Sequence, residues 1–160
     1  IFNTVGGDVT GTQLAGIVSS TKGKVTGVQV SGMVNIGRDS VIGAQVAGLY
    51  NTAGYHVNGA QISGIFNYAN GDVRHQVSGI YNKARFVGRR QVGLINVCDT
   101  TAKAPYGFLN FVKYGYNRVE VGAGEAMFVN LGAKLGVRKL YNILQFGVRW
   151  DVVDEMEIKA

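Results

Sequence analysis

Proline and cysteine each occur once in this 160-residue chain, histidine twice, and only 16% of the residues are charged. A single cysteine, Cys98, excludes an intrachain disulfide. It reads as a small buried hydrophobe. Scarce charge together with 46% hydrophobic residues excludes an intrinsically disordered chain. Glycine occurs 24 times, but without abundant proline or a three-residue period it does not make collagen. No run of about 18 apolar residues is present, so no transmembrane helix is expected, and no signal peptide is visible. What remains is glycine at fixed points of a repeated β architecture, in a chain long enough to bury a core.

The net charge is +6 and the pI near 9.6. Lys22, Lys24, Arg38, Arg74, Lys83 and Arg85 are scattered, and only Arg89-Arg90 and Arg138-Lys139 are adjacent pairs. Nucleic-acid binding needs a dense basic stripe, so it is not expected. A weaker attraction to an anionic surface fits the charge.

The strongest signal is internal repetition. The unit reads Gly-x-Gln-(Val/Ile/Leu)-(Ser/Ala)-Gly-(Ile/Leu/Met)-x-Asn. Its glutamines are Gln13, Gln29, Gln45, Gln61, Gln76 and Gln91, spaced by 16, 16, 16, 15 and 15. The last position is held by Asn3, Ser19, Asn35, Asn51, Asn67, Asn82, Asn96 and Asn110, spaced by 16, 16, 16, 16, 15, 14 and 14. Since the chain opens on Ile1-Phe2-Asn3, the tail of a unit, further sequence is expected upstream. Within a unit, Val28 to Ile36 is β-branched and apolar with no helical period, which predicts a strand. Gly37-Arg38-Asp39-Ser40, Thr52-Ala53-Gly54-Tyr55 and Asn70-Gly71-Asp72 read as turns, and the changes of repeat length are expected to fall there.

A period of 14–16 residues predicts an all-β fold: a β-solenoid of about eight coils over residues 1–112, each coil stacked on the last. Coils about 4.8 Å apart give a rod on the order of 40 Å long. Equivalent side chains then lie over one another. Gln29, Gln45, Gln61, Gln76 and Gln91 are expected to form one amide ladder, and Asn35, Asn51, Asn67, Asn82 and Asn96 another, each side chain bonding its neighbours above and below. Ile17, Met33, Leu49, Ile65, Ile80 and Leu94 are expected to stack in the interior. The residue before each Asn points the other way. This places Val34, Tyr50, Phe66, Tyr81 and Ile95, with Phe2, Val18 and Leu109, in an outer stripe. The stripe is either covered by the rest of the protein or is a docking surface.

The pattern changes after Pro105. Met127 to Val137 alternates cleanly, Arg138-Lys139 reads as a turn, and Leu140, Asn142, Leu144, Phe146, Val148 and Trp150 share one side of the next strand. Asn117 to Gly124 supplies an earlier partner. Residues 113–150 thus predict an antiparallel meander, either capping the solenoid's open edge or contributing to an outer-membrane barrel. Residues 151–160 read as a charged tail.

The Gly-x-Gln-Val-Ser-Gly-Ile-x-Asn units resemble the surface-repeat proteins of Bacteroidetes and leptospires. Lys113-Tyr114-Gly115-Tyr116-Asn117-Arg118-Val119-Glu120, with Leu140-Tyr141-Asn142-Ile143, is similar to the segment that follows such repeats in the Bacteroidetes proteins. The resemblance covers most of the chain. It implies a location in the bacterial cell envelope, at the outer membrane or surface, and carries no functional residues across.

No catalytic centre, metal site or cofactor is expected. His56 and His75 lie 19 apart, in or near connectors, with no Cys or second His at ligand spacing. Neither a Gly-x-Ser-x-Gly elbow nor a P-loop occurs. A glycan-cleaving β-helix needs two carboxylates facing one bond. Asp8, Asp39, Asp72 and Asp99 fall mostly one per connector, and Asp39 and Asp72 come no nearer than roughly 10 Å on coils two apart. Three functions follow for testing. The first is a non-enzymatic structural or interaction module presenting stacked β faces to a protein or cell-envelope partner. The second is an outer-membrane β-barrel, pore or scaffold, with one antiparallel strand per repeat. The third is a glycan-active β-helix.

Overall fold

The computed structural model describes residues 1–124, 127–138 and 140–148, and among them every regular element is a β-strand. The solenoid begins with β1 (Phe2–Val5), β2 (Val9–Ala15), β3 (Val18–Thr21) and β4 (Val25–Ser31). It continues through β5 (Val34–Gly37), β6 (Val41–Ala47), β7 (Tyr50–Ala53), β8 (Val57–Ser63), β9 (Phe66–Ala69) and β10 (Asp72–Ser78). It closes with β11 (Tyr81–Val92), β12 (Ile95–Thr101) and β13 (Leu109–Val112). A three-stranded sheet follows, β14 (Arg118–Gly124), β15 (Met127–Val137) and β16 (Leu140–Val148).

Each repeat supplies two strands rather than one. The expected strand Val28 to Ile36 is broken at Gly32-Met33, where the chain turns a corner from a long strand to a short one. From β1 to β10, long strands pair only with long and short only with short; β11 then spans both sheets and pairs with β9 as well as β10, and all of these pairings are parallel and between successive coils. Equivalent residues are in register: Gln29 lies beside Gln13 and Gln45, and Asn51 beside Asn35 and Asn67. The result is a flattened β-solenoid of about seven turns. The repeats therefore do not form antiparallel barrel strands: a connection that returns the chain through a second short strand makes long-strand neighbours run in the same direction.

Alternation explains what is inside. On β4, Val25, Gln29 and Ser31 are buried, while Thr26 faces out. On β5, Asn35 and Gly37 are buried, with Val34 and Ile36 on the outer side. Toward the connectors the interior is apolar: Val25, Val41, Val57, Val73 and Val87 meet Ala53, Ala69, Ala84, Cys98 and Val112 from the opposite sheet. Toward the corner it is made of amides.

The expected interior stack of Ile17, Met33, Leu49, Ile65, Ile80 and Leu94 is not observed. These residues sit at the corner and point outward, with Met33 43% and Leu94 51% exposed. Continuous alternation from Gln29 through Ser31 to Asn35 would put Met33 inside. The bend at Gly32-Met33 instead places it on the convex side of the turn, where its side chain splays away from the interior.

The length changes also differ from expectation. Gly27 occupies the long strand at φ +135°, and a Cβ on it would overlap the carbonyl oxygen of Gly11 on the preceding coil. Gly43 and Gly59 repeat the arrangement. In β10 this residue is missing, so the first shortening falls inside a strand and leaves a register shift between Val73 and His75 against both neighbours. The second does fall in a connector, the one between Ala84 and Val87, where β11 runs straight through, and the third falls at the corner, where Val92 to Ile95 matches the longer step Val77 to Tyr81.

The antiparallel sheet forms as the alternation predicts, with Leu131 opposite Val121 on one side and Phe146 on the other. It sits on the last coil. Val137 packs against the apolar core, and the Tyr116 N–H donates to the Gly136 carbonyl. Lys139, within the expected turn, Trp150 and the 151–160 tail lie outside the described residues.

Candidate functional site

The two amide ladders are built as the repeat spacing predicts. Gln29, Gln45, Gln61, Gln76 and Gln91 are fully buried, as are Asn35, Asn51, Asn67, Asn82 and Asn96. Each glutamine Nε2 donates to the Oε1 of the glutamine one coil earlier, at 2.8–2.9 Å from Gln29 to Gln91. The asparagines run the other way: each Nδ2 donates to the Oδ1 one coil later, at 2.9–3.0 Å from Asn35 to Asn110. The Nδ2 groups also reach backbone carbonyls across the corner, as from Asn51 to Ile62 at 2.7 Å. Buried amides with partners on both sides avoid the desolvation penalty of an orphaned polar group.

The ladders have identifiable ends. Asn110 donates to the Oδ1 of Asn142 on β16 at 2.8 Å, so the antiparallel sheet extends the asparagine ladder beyond the solenoid. At the glutamine position of the last coil stands buried Pro105, which has no N–H or side-chain donor. The Gln91 Oε1 is accordingly left without a partner. The asparagine ladder also has a gap. Ser19 replaces asparagine, and both the Ser19 Oγ and the Asn35 Oδ1 are buried and unpartnered. Ser19→Asn should close that gap and raise stability by about 1 kcal/mol. Urea unfolding checks it through a higher midpoint at unchanged slope.

Outside, the expected stripe is where alternation places it. Val34, Tyr50, Phe66, Tyr81 and Ile95 lie side by side on the outer face of the short-strand sheet. The Phe66 and Tyr81 rings are 5.5 Å apart. The misplaced corner row, from Ile17 to Leu94, runs directly beside it. Beyond the corner the outward residues Leu14, Val30, Val46, Ile62, Val77 and Val92 form a third apolar row. The rod is thus apolar around one edge for about 30 Å, with amides beneath. The opposite edge, made by the connectors, carries Lys22, Lys24, Arg38, Asp39, His56 and Arg85.

The residues weighed for chemistry are occupied locally. The Asp8 Oδ1 accepts from the Lys24 N–H at 2.8 Å, and the Asp39 Oδ1 from the Ser40 N–H at 2.6 Å. Asp72 pairs with Arg85 at 3.1 Å and lies 3.6 Å from the His56 Nδ1. His56 is on a connector; His75 is within strand β10. Among the described residues no three of His, Cys, Asp and Glu gather where they would hold a metal ion. Burial, reinforced by Asp99, pushes the Cys98 thiol up to about 12, so it remains protonated and unreactive near neutrality.

One grouping was hidden by treating the basic residues as a linear list. Arg74, Arg89, Arg90 and Lys103 all project from the outer face of the long-strand sheet on three successive coils. His75 pairs with Arg90, and the Val87–Thr101 and Val92–Tyr106 pairs put Lys103 beside Arg89. The repeat period would have found them, since Arg74, Arg89 and Lys103 are 15 and 14 apart.

Comparison with known proteins returned no matching family model, no matching curated protein and no matching solved structure. The functional reading therefore rests on this geometry.

Proposed function

We propose that the chain is a non-enzymatic interaction module of a bacterial cell-envelope protein, a stiff rod that docks a protein partner along its apolar edge. The observation that carries this reading is the inversion at the corner. The interior toward the corner is filled by amide ladders, yet three adjacent apolar rows are turned outward over about seven coils. Solitary exposed hydrophobic residues are ordinary, but a continuous patch of this length marks an interaction surface. In-register stacking keeps the face flat, as extended solenoid surfaces require. The envelope location rests on the resemblance of the repeat units to bacterial surface proteins.

A second reading, attachment to a membrane, draws on the antiparallel sheet. The strands β15 and β16 have 11 and 9 residues, close to the length that spans a bilayer in a barrel. One face carries Val119, Val121, Leu131, Phe146 and Val148, all exposed. The other carries the Lys134–Glu120 ion pair at 2.7 Å. Among the described residues the outer edges of β14 and β16 are unpaired. Three strands do not close a barrel, so a lipid-facing role requires further strands from elsewhere.

One experiment addresses both. A photo-crosslinking phenylalanine analogue is placed at Tyr50 or Phe66, at Val121 or Phe146, and at Arg38 as a polar-edge control. The full chain is then exposed to an envelope extract and irradiated. A discrete protein adduct from the Tyr50 and Phe66 positions, absent from Arg38, is the expected result. Lipid adducts at Val121 and Phe146 support membrane attachment. Equal labelling at all positions, or none, overturns the docking reading.

A further inference from the structure

The cationic group on the long-strand sheet borders the third apolar row, with Arg90 two residues from Val92 on β11, and is not used by the docking reading. Arg74, Arg89, Arg90 and Lys103 are all exposed, and among the described residues none of them meets a carboxylate at ion-pair distance. Asp72 and Asp99 are the nearest acids in sequence. Asp72 is paired with Arg85, and Asp99 stands opposite Arg85 across the ladder, both at the connector edge. Four uncompensated positive charges on one flat face form a concentrated field, in a protein whose remaining basic residues are dispersed.

We propose that this face binds an acidic polysaccharide, with its carboxylate or sulfate groups held by Arg74, Arg89, Arg90 and Lys103. Guanidinium groups bind carboxylates and sulfate esters through paired N–H donors to two of the anion's oxygens, which a lysine-only surface does not. The cations are stepped by the coil spacing of about 4.8 Å, comparable to the length of one pyranose unit, so successive acidic sugars meet successive coils. Two exposed aromatic rings flank the patch. Phe86 is at its connector side, and Tyr106 at its corner side. Rings of this kind pack against the C–H faces of sugars. A nucleic acid is less well matched: four cations are few for a duplex, and no row of stacking aromatics runs through the patch.

His75 reports on the site. It lies between Ala60 of β8 and Arg90 of β11. Partial burial, then Arg89, Arg90 and Arg74, lower its pKa. Bringing carboxylates onto these guanidinium groups offsets their field and should raise it.

The test measures binding of oligogalacturonate to the full chain by calorimetry at low salt, with a neutral oligoglucan as control. Arg89→Gln with Arg90→Gln should weaken binding roughly tenfold or more. Lys22→Gln with Lys24→Gln removes the same charge at the connector edge and should change it less than about twofold. The His75 imidazole resonance should titrate at higher pH when the oligosaccharide is bound. All of these substitutions are at exposed positions, and a thermal melt confirms the fold. The proposal is overturned by absence of binding, by equal losses in both double variants, or by an unmoved His75 titration. Tighter binding of a single-stranded oligonucleotide of equal charge also overturns it and assigns the face to nucleic acid.

Discussion

Asn67→Leu should destabilise the solenoid by about 3 kcal/mol or more, although leucine has the same branched side-chain skeleton as asparagine and is more hydrophobic. Asn67 is fully buried, and its amide joins Asn51 to Asn82. Replacing it leaves the Asn82 Oδ1 without the donor at 3.0 Å and the Val77 carbonyl without the donor at 2.7 Å. It also removes the acceptor that Asn51 uses. Each orphaned buried group costs about 1–3 kcal/mol, and the gain from burying a few methyl groups does not offset two or three of them. The measurement is urea unfolding, with hydrogen exchange to localise the damage to the coils of Asn51, Asn67 and Asn82. Stability unchanged from the parent chain would show that the ladder contributes nothing net.

Gly48→Ala should be nearly as harmful, for a reason unrelated to conformational freedom. Gly48 occupies the corner of its coil, and a Cβ built there overlaps the carbonyl oxygen of Gly32. Gly32 stands in the same relation to Gly16, and Gly64 to Gly48. Coil separation is fixed at about 4.8 Å by the ladders on either side, so the neighbouring backbone has no room to retreat. A cost of about 2–3 kcal/mol is expected, typical of overpacking against a rigid surface. Gly88, on β11, provides an internal control. A Cβ built there meets nothing nearer than the Val73 carbonyl oxygen at an ordinary 3.7 Å. Gly88→Ala should therefore cost no more than a few tenths of a kcal/mol, close to the level of a surface substitution. Equal thermal melts for the two variants would contradict close approach at the corners.

How far the fold was legible follows from which constraints are periodic. The amide ladders could be read from spacing because Gln29 and Asn35 recur at one-coil intervals among apolar neighbours, and only mutual pairing makes that tolerable inside. The direction of Met33 could not. Its parity with Gln29 and Asn35 is correct for an unbroken strand, and only knowledge that Gly32-Met33 is a bend reverses it. The shortened coil at Val73–Gln76 was misplaced for a related reason: deletion of a bulge residue leaves the strand intact, so it resembles a loop change in the sequence. The cationic face was recoverable and overlooked, because the repeat frame was applied to amides and not to Arg74, Arg89 and Lys103. The partner proposed for the apolar edge has no counterpart in the sequence pattern, since a partner's shape is not encoded by side chains that merely avoid water.

The opposed directions of the two ladders bear on how long such a rod can be. A file of amides each donating the same way is a line of aligned dipoles, and mutual polarisation strengthens it as it lengthens. Alone, such a file would leave uncompensated partial charges at its two ends, as a helix does, and a total dipole that grows with its length. Here the glutamine file points toward the first coil and the asparagine file toward the last, side by side within one interior. Their fields largely cancel at every coil. Adding or removing a turn therefore carries no electrostatic consequence for the ends, and the number of turns is free to vary without redesign of either terminus.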